Sequence, residues 1–226
     1  MSKGNTFEND LMKLIFNATA IANLADNAAV APLTNLFVAL HTADPGEAGD
    51  QTTSEATYTG YARATVARTS GGWTVAANQA QNAAAITFNL CLAGSSLVTY
   101  FSVGVALACA SKILYSGPLG SILGAFVAEN TDEQITLKGH GLLADDFVEF
   151  ETTEGTALPA PIAQGTIYAV KTVIDADNFT ISTSVGGGTL DITSDGAGLA
   201  SKVTPLAITT GITPQFAAGA LKVREN

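Results

Sequence analysis

Few residues in this chain are able to do nucleophilic or acid–base chemistry. It contains two histidines, His41 and His140, and two cysteines, Cys91 and Cys109. Nucleophilic catalysis needs a nucleophile, a base and an orienting group within reach of one another. The histidines stand far apart in the chain, and no G-x-S-x-G motif is present. We therefore predict no catalytic residues and no enzyme, with His41 as a half-exposed or hydrogen-bonded strand residue and His140 as a turn residue.

Two groups of carboxylates could in principle supply an acid–base pair or ligands for a hard cation. The first is Asp44, Glu47, Asp50 and Glu55, and the second is Asp145, Asp146, Glu149, Glu151 and Glu154. Neither group has the spacing of an EF-hand loop. On a strand, Glu149 and Glu151 share one face and repel each other unless solvent or a cation screens them. We predict a solvated acidic surface, with opportunistic Ca²⁺ binding as the alternative, and no metal-ligating or cofactor-binding residues.

The remaining residues of chemical interest favour structural roles. Cys91 and Cys109 lie in apolar runs, which predicts two buried, reduced thiols and leaves a disulfide as the alternative. Trp73, the only tryptophan, follows two glycines and is expected to anchor the core or a strand end rather than stack on a glycan. The glycine runs at 139–141 and 186–188 precede no helix, so we predict turns and not phosphate-binding loops.

Composition and charge restrict the class of protein. With 226 residues, 47 % of them hydrophobic, the chain has ample material for a core. A net charge of −10 argues against nucleic acid as a partner. Residues 69–111 carry no charge, but polar side chains interrupt this stretch too often for a membrane span. The opening MSKGNTFEND contains no apolar signal segment, so we expect the protein to stay in the cytosol in which it is made.

The N-terminal segment has the pattern of an amphipathic helix. Asn5 is a plausible cap, with Glu8 three residues later. Apolar residues follow at spacings of three and four up to a predicted end near Asp26 and Asn27: Phe7, Leu11, Leu14, Ala18 and Ile21. This stripe either packs on its own domain or meets the same helix of another subunit.

The chain after Pro32 has the pattern of short strands separated by turns. A strand is predicted at residues 35–41, followed by a long loop at 42–60 that contains Asp44-Pro45-Gly46. Further strands are predicted at 62–67, 73–76, 84–90, 97–107 and 113–116, and a closing strand at 217–223. This spacing favours a mainly β protein, namely an antiparallel β-sandwich with an N-terminal α-helix.

Most of the net charge resides in one contiguous block. Residues 121–204 contain twelve Asp and Glu and three Lys, a net charge of −9, whereas the rest of the chain has a net charge of −1. A block of such different charge is typical of a separate module. Within it, EQITLKGHGLLADDFVEF, TIYAVKTV and NFTIST alternate as strands do. We predict a sandwich formed by residues 1–120 and 205–226, with a small antiparallel β-domain inserted at 121–204.

Three motifs carry a resemblance to a known family. LFVALHTADPGEAGD at 36–50 continues into YTGYAR at 58–63, and ITPQFAAGALKV stands at 212–223. In wording and order they resemble the small tail-fibre proteins of tailed bacteriophages. The inserted block resembles a recurrent module of phage tail and surface proteins, with GHGL and a later FTIS, although Ala144-Asp145-Asp146 replaces the usual Gly-Asp.

The resemblance implies a structural, non-enzymatic subunit of the virion. It would be made and assembled in the cytoplasm of the bacterial host, on the tail, the neck or collar, or the head. Its expected partners are copies of itself, with a trimer as the first guess, and other virion proteins. The alternative is a recognition function, in which the inserted domain binds a host-surface receptor or glycan.

Overall fold

The computed structural model describes residues 5–21 and 32–224. They form two compact units, the first made of residues up to Gly117 and from Ala207, and the second of Pro118–Leu206. These borders lie within three residues of those that the charge pattern predicts. That the second unit folds independently stays a prediction.

The first unit contains the helix and a set of short strands. In chain order these are α1 (Asn5–Asn17), β1 (Asn35–His41), β2 (Ala64–Ala67), β3 (Trp73–Ala76), β4 (Gln79–Asn82), β5 (Ile86–Thr87), β6 (Ser95–Val98), β7 (Tyr100–Gly104), β8 (Ile113–Pro118), and, after the second unit, β15 (Leu206–Thr209), β16 (Gln215–Phe216) and β17 (Lys222–Arg224). One sheet has the order β2-β1-β7-β8. The three C-terminal strands pair with strands of residues 79–98. Strand β15 pairs with β6, β16 with β5, and β17 with β4.

The centre of the first unit is the antiparallel pair of β1 and β7. Phe37 lies opposite Gly104, and His41 lies opposite Tyr100. Every residue of β7 is buried, and β1 is buried on both faces near its end. A strand covered on both faces reads as a nearly continuous apolar run, which explains the LFVAL sequence of β1.

Helix α1 packs on its own unit, although not through the predicted stripe. Met12 and Phe16 are fully buried, whereas Leu11 and Leu14 are only half-buried. The Phe16 ring meets the Trp73 ring edge-on, with 4.8 Å between their centroids. Of the two alternatives for this helix, packing within its own domain is therefore the one observed. The buried face of the helix is centred one residue away from the predicted face. The side chains of Asn5 and Phe7 lie outside the described part.

The helix also ends earlier than predicted. It stops at Asn17, and Ala18 has a left-handed φ of 53°. The guanidinium of Arg68 donates to the carbonyls of Leu14 and Ile15, so it caps the last turn. Asp26 and Asn27, the predicted end, lie outside the described residues.

The strand predictions hold best where the sequence is apolar and alternating. Strands β1 and β3 match their predicted bounds. The predicted strand at 97–107 is divided into β6 and β7, and that at 84–90 shrinks to Ile86–Thr87. Strand β4 was not predicted, because its sequence QAQN is polar, yet it pairs with both β3 and β17. The antiparallel β class is confirmed, in a form consistent with a sandwich.

The second unit is a closed antiparallel barrel. Its strands are β9 (Gly120–Ala128), β10 (Ile135–Thr136), β11 (Phe147–Glu151), β12 (Ile167–Val173), β13 (Asn178–Ser182) and β14 (Gly196–Val203). They pair in the order β10-β13-β12-β11-β14-β9, and β9 closes on β10. The barrel interior is apolar, with Phe126, Val148, Phe150, Phe179 and Ile181 among the buried residues. Closure removes the unpaired edges that an open sheet would expose.

The ends of the barrel unit meet in a two-stranded stem. In β9 and β14, Gly120 lies opposite Val203. Beyond that pair, the Thr204 amide donates to the Leu119 carbonyl at 2.6 Å. Gly120 suits this position because a Cβ there would lie 1.8 Å from the Lys202 carbonyl oxygen. The chain therefore enters and leaves the second unit at adjacent points.

Candidate functional site

An extensive polar cluster is centred on Arg63, from the GYAR motif. Its guanidinium forms a two-point ion pair with Glu55, with Nε to Oε1 at 2.7 Å and Nη2 to Oε2 at 2.8 Å. The remaining donors reach the Gln51 side chain and the carbonyls of Ala106 and Cys109. All five N–H groups of the guanidinium are therefore satisfied. The hydrogen bonds to Glu55 raise the pKa of Arg63.

A second branch of the cluster joins Gln51 to His41. The Gln51 amide donates to the Phe37 carbonyl at 3.0 Å and to Ser102 Oγ at 3.2 Å. Ser102 Oγ also lies 2.7 Å from His41 Nε2, and His41 Nδ1 lies 2.8 Å from the Thr53 carbonyl. A carbonyl only accepts, so His41 Nδ1 carries the proton and Nε2 accepts from the Ser102 hydroxyl. Gln51 fits here because Gly104 has no side chain, since a Cβ would lie 2.2 Å from Gln51 Cδ.

The pair of Ser102 and His41 has the geometry of a nucleophile and its base. Both residues are 0 % exposed, however, and Ser102 Oγ already accepts from Gln51. Burial lowers the pKa of His41, although the Thr53 carbonyl and the charge of Glu55 act in the other direction. The arrangement holds a neutral imidazole inside the unit and presents no nucleophile to solvent. Of the two predicted environments for His41, the hydrogen-bonded strand residue is correct and the half-exposed one is wrong.

Tyr61 and Gly60 complete the part of the cluster built from the GYAR motif. The Tyr61 hydroxyl accepts from the Leu40 amide and donates to Glu55 Oε1, both at 3.0 Å. Burial raises the pKa of Tyr61, so the phenol stays protonated. Gly60 has a φ of 97°, and a Cβ there would lie 2.7 Å from the Leu90 carbonyl oxygen. We name the set His41, Gln51, Glu55, Tyr61, Arg63 and Ser102 the loop anchor, because it ties the loop between β1 and β2 to the sheet.

The acids of this loop are engaged in local hydrogen bonds. Asp44 Oδ1 accepts from the Gly46 amide at 2.9 Å, and Asp50 Oδ1 accepts from the Thr52 amide at 2.7 Å. The hydrogen bonds from Thr52 lower the pKa of Asp50. Glu47 is exposed, while Glu55 belongs to the loop anchor. These carboxylates shape a turn and an ion pair rather than converge on one point.

The acids of the barrel occupy different environments. Partial burial raises the pKa of Asp146, but hydrogen bonds from the Lys202 ammonium and the Leu143 amide outweigh it, so the pKa lies below its usual value. Glu149 is buried, which contradicts its predicted place on a solvated face. Glu151 is exposed, and partial desolvation raises its pKa. Asp145 and Glu154 lie on the surface, as predicted.

His140 lies in the predicted turn between Gly139 and Gly141, but it is buried there. Its Nε2 lies 3.2 Å from the Asp175 carbonyl, and its Nδ1 accepts from the Leu142 amide at 3.0 Å. The ring packs on Phe179, with 4.9 Å between the centroids. The GHGL turn therefore packs against the turn before β13 and against Phe179 of that strand. These contacts give a structural role to both GHGL and FTIS, the two motifs of the inserted block.

The predictions for Cys91 and Trp73 are confirmed, and the prediction of a buried Cys109 is wrong. Cys91 and Cys109 are both free thiols. Cys91 is buried as predicted, whereas Cys109 is exposed, in a bend where its φ is 64°. Trp73 is fully buried against Phe16, which confirms it as a core anchor.

Exposed apolar side chains lie on two neighbouring segments of the first unit. Leu90 is 44 % exposed and Leu92 is 63 % exposed, while Cys91 between them is buried. Ile212 lies on the neighbouring segment, because its carbonyl accepts from the Cys91 amide at 2.9 Å, and it is 42 % exposed. We name Leu90, Leu92 and Ile212 the leucine surface.

Within residues 5–21 and 32–224, no group of three or more His, Cys, Asp or Glu side chains is arranged to hold a metal ion. No helix in that part of the chain is long and apolar enough to cross a membrane.

Sequence reasoning missed several residues of the loop anchor. Gln51 and Ser102 carry no pattern that separates them from ordinary loop and strand residues. Arg63 and Tyr61 did carry a signal, because they belong to the GYAR motif that supports the family resemblance. Their role as partners of Glu55 depends on the path of the loop between them.

Comparison with known proteins agrees with the resemblance. A family model described as podophage GP4 fiber I protein gp80 matches residues 4–125, which is more than half of the chain. The matched range contains the LHTADPG and GYAR motifs and ends before FAAGAL, and the three motifs as a family signature remain a resemblance. No curated protein matches the chain. Because the match covers the helix, the loop anchor and the sheet around it, the chain belongs to the podophage GP4 fiber I protein gp80 family of phage fibre proteins.

Proposed function

We propose that this protein is a structural subunit of a tailed-phage virion that works by homo-oligomeric assembly and by display of its barrel unit, without catalysis. Membership of a phage fibre family is the observation that carries the proposal. The saturated loop anchor supports it, since a buried and fully hydrogen-bonded cluster rigidifies a scaffold. The buried pair of Ser102 and His41 supports the absence of catalysis.

The distribution of charge supports a division of labour between the units. The barrel unit carries a net charge of −9, and the first unit is nearly neutral. Like charges oppose close approach of identical surfaces, so copies associate more readily through the nearly neutral unit. The barrel is then the unit that faces solvent or the host.

Location on the virion is testable by labelling. An epitope inserted at Gly186, an exposed turn residue with open space around it, should leave the barrel strands intact. Immunogold labelling of intact particles should then mark a discrete virion structure, and particles carrying the untagged protein serve as the control. Absence of the tagged protein from purified, infectious particles would contradict a structural role.

Self-association is testable on the purified full chain. Light scattering should report a closed oligomer, with a trimer as the first expectation. A mass of 23.0 kDa, the monomer, at micromolar concentration would contradict assembly of the isolated protein.

The second candidate function is recognition of a host-surface ligand by the barrel unit. It is favoured by the stem, which joins a separate core to the chain at adjacent points, at Leu119 and Thr204. Purified full-length protein should then compete with phage for adsorption to host cells, and a variant lacking residues 121–204 should not. Equal competition by both proteins would assign binding to the first unit.

A further inference from the structure

Two of the three residues of the leucine surface lie in a stretch of the chain with no formal charge. Leu90 and Leu92 belong to the stretch 69–111, which contains no Asp, Glu, Lys or Arg. Leu97 and Leu107, in the same stretch, are also exposed. The largest apolar patch on a soluble protein is often a functional surface, and the centre of a protein interface is depleted of charged residues. These features are typical of a surface that another protein covers.

Hydrogen bonds hold the leucine surface in place. The Cys91 amide and carbonyl bond to Ile212 and Gly211 on one side, and the Leu92 amide donates to the Thr59 carbonyl on the other, each at 2.9 Å. Leu92 lies beside Gly60, since a Cβ on that glycine would be 3.4 Å from Leu92 Cγ. A backbone held in this way does not have to be ordered on binding, which favours association.

We infer that the leucine surface contacts the leucine surface of a second copy of this chain, next to the symmetry axis of a closed oligomer. Next to such an axis a residue approaches its own copy, so a charged side chain would meet a like charge, whereas leucine meets leucine. The first unit, with a net charge of −1, allows this approach, and the barrel, with −9, opposes it. The inference rests on the proposed self-assembly and adds which surface of the chain the copies share.

The first test places charge on the leucine surface of the full chain. The double variant Leu90→Lys and Leu92→Lys should raise the dissociation constant of the oligomer at least tenfold, as light scattering over a dilution series would measure, because central interface residues dominate association. Leu143→Lys is the matched control, since Leu143 is 70 % exposed and lies on the barrel unit. It should leave the dissociation constant unchanged, and both variants should keep the parent far-UV circular dichroism.

A second test does not depend on charged variants. Leu92→Cys in a Cys109→Ser background should give a covalent dimer under mild oxidation, because the two thiols would lie close together across the axis. Leu143→Cys in the same background should stay monomeric on a non-reducing gel. Cys109 must be replaced because it is exposed, whereas buried Cys91 can remain.

The outcomes separate the location from the proposed function. An oligomeric parent with dissociation of the lysine variant and cross-linking at Leu92 supports the inference. An oligomeric parent whose lysine variant still assembles, with no cross-link, overturns the location and leaves self-assembly standing. If that assembled variant is also missing from virions, the surface instead binds another virion protein. A monomeric parent overturns self-assembly itself.

Discussion

Arg63 holds Glu55 through both carboxylate oxygens, at 2.7 and 2.8 Å, in a place where the Arg63 side chain is almost completely buried. The two residues are eight positions apart, and both lie in the loop between β1 and β2. A paired charge at this depth is stable only as a pair, since either partner alone would leave an uncompensated charge away from water.

Removal of one partner should therefore unfold the first unit more easily. We expect Glu55→Gln to lower the free energy of unfolding by about 3 kcal/mol, the cost of leaving a buried charge unpaired. Trp73, the only tryptophan, is buried in the first unit, so its fluorescence during urea unfolding reports that unit alone. Glu47→Gln, at an exposed position of the same loop, is the control and should have little effect. Equal midpoints for both variants would contradict the role of the loop anchor.

The stability of the first unit should depend on pH through His41. Burial lowers the pKa of His41 in the folded state, so the unfolded chain takes up a proton first as the pH falls below about 6.5. Stability is then full above that pH and declines as the pH falls from there toward the folded-state pKa. The charged groups that act on His41 are Glu55, Arg63 and Asp44.

The pH dependence is measured by urea unfolding at pH 5 to 8, followed by Trp73 fluorescence. His41→Gln should be less stable at neutral pH, because it loses hydrogen bonds inside the unit, and should show a flatter decline toward pH 5. The two proteins differ only at residue 41, so the difference between their slopes reports on His41. An unchanged slope in the variant would show that another group titrates.

Gly60 should not tolerate a side chain. Gly60→Ala combines a φ of 97° with a Cβ that would lie 2.7 Å from the Leu90 carbonyl oxygen, so we expect a loss of at least about 2 kcal/mol. Gly71→Ala, in the same unit, has no positive φ, and its nearest atom would be 3.6 Å away. Comparable stability of the two alanine variants would refute the close-approach argument.

A glycine at position 145, in the turn before β11, should stabilise the barrel. Asp145 has a φ of 67°, and its side chain is exposed, so Asp145→Gly relieves left-handed strain and should stabilise the barrel by up to about 1 kcal/mol. Asp146→Asn should act in the opposite direction, because it weakens the contact with Lys202 at 2.6 Å. Thermal melting of both variants, followed by far-UV circular dichroism, tests the pair.

Deletion of the barrel should leave the first unit folded. Leu119 and Thr204 are hydrogen-bonded neighbours, so joining Gly120 to Pro205 requires little rearrangement of the remaining chain. The variant lacking residues 121–204 should be soluble and show a cooperative melt by Trp73 fluorescence. An insoluble product, or a melt without cooperativity, would mean that the first unit depends on the barrel.

Sequence patterns predicted the strands whose apolar residues are dense and regular, and they missed strands made of small or polar residues. β1 and β3 were located correctly because their residues favour a pleated, buried surface. β9 and β14 are rich in Gly, Ala and Ser, and each exists because it pairs with the other along most of its length. Such strands depend on closure of the barrel, and a short stretch of sequence carries no information about that closure.

The sequence by itself determined the antiparallel β class and the turns at the glycine and aspartate pairs, because these follow from local propensity. It also determined the division into a nearly neutral part and an acidic block, because this follows from the positions of the charged residues. Only the tertiary structure decided which polar residues meet. Ser102 reaches His41 across 61 positions because β1 and β7 pair in one particular register, and Arg63 reaches Glu55 because the loop folds back on the sheet. Register and loop closure are set by the packing of the whole unit, so the partners of a buried polar side chain follow from the fold and not from its neighbours in sequence.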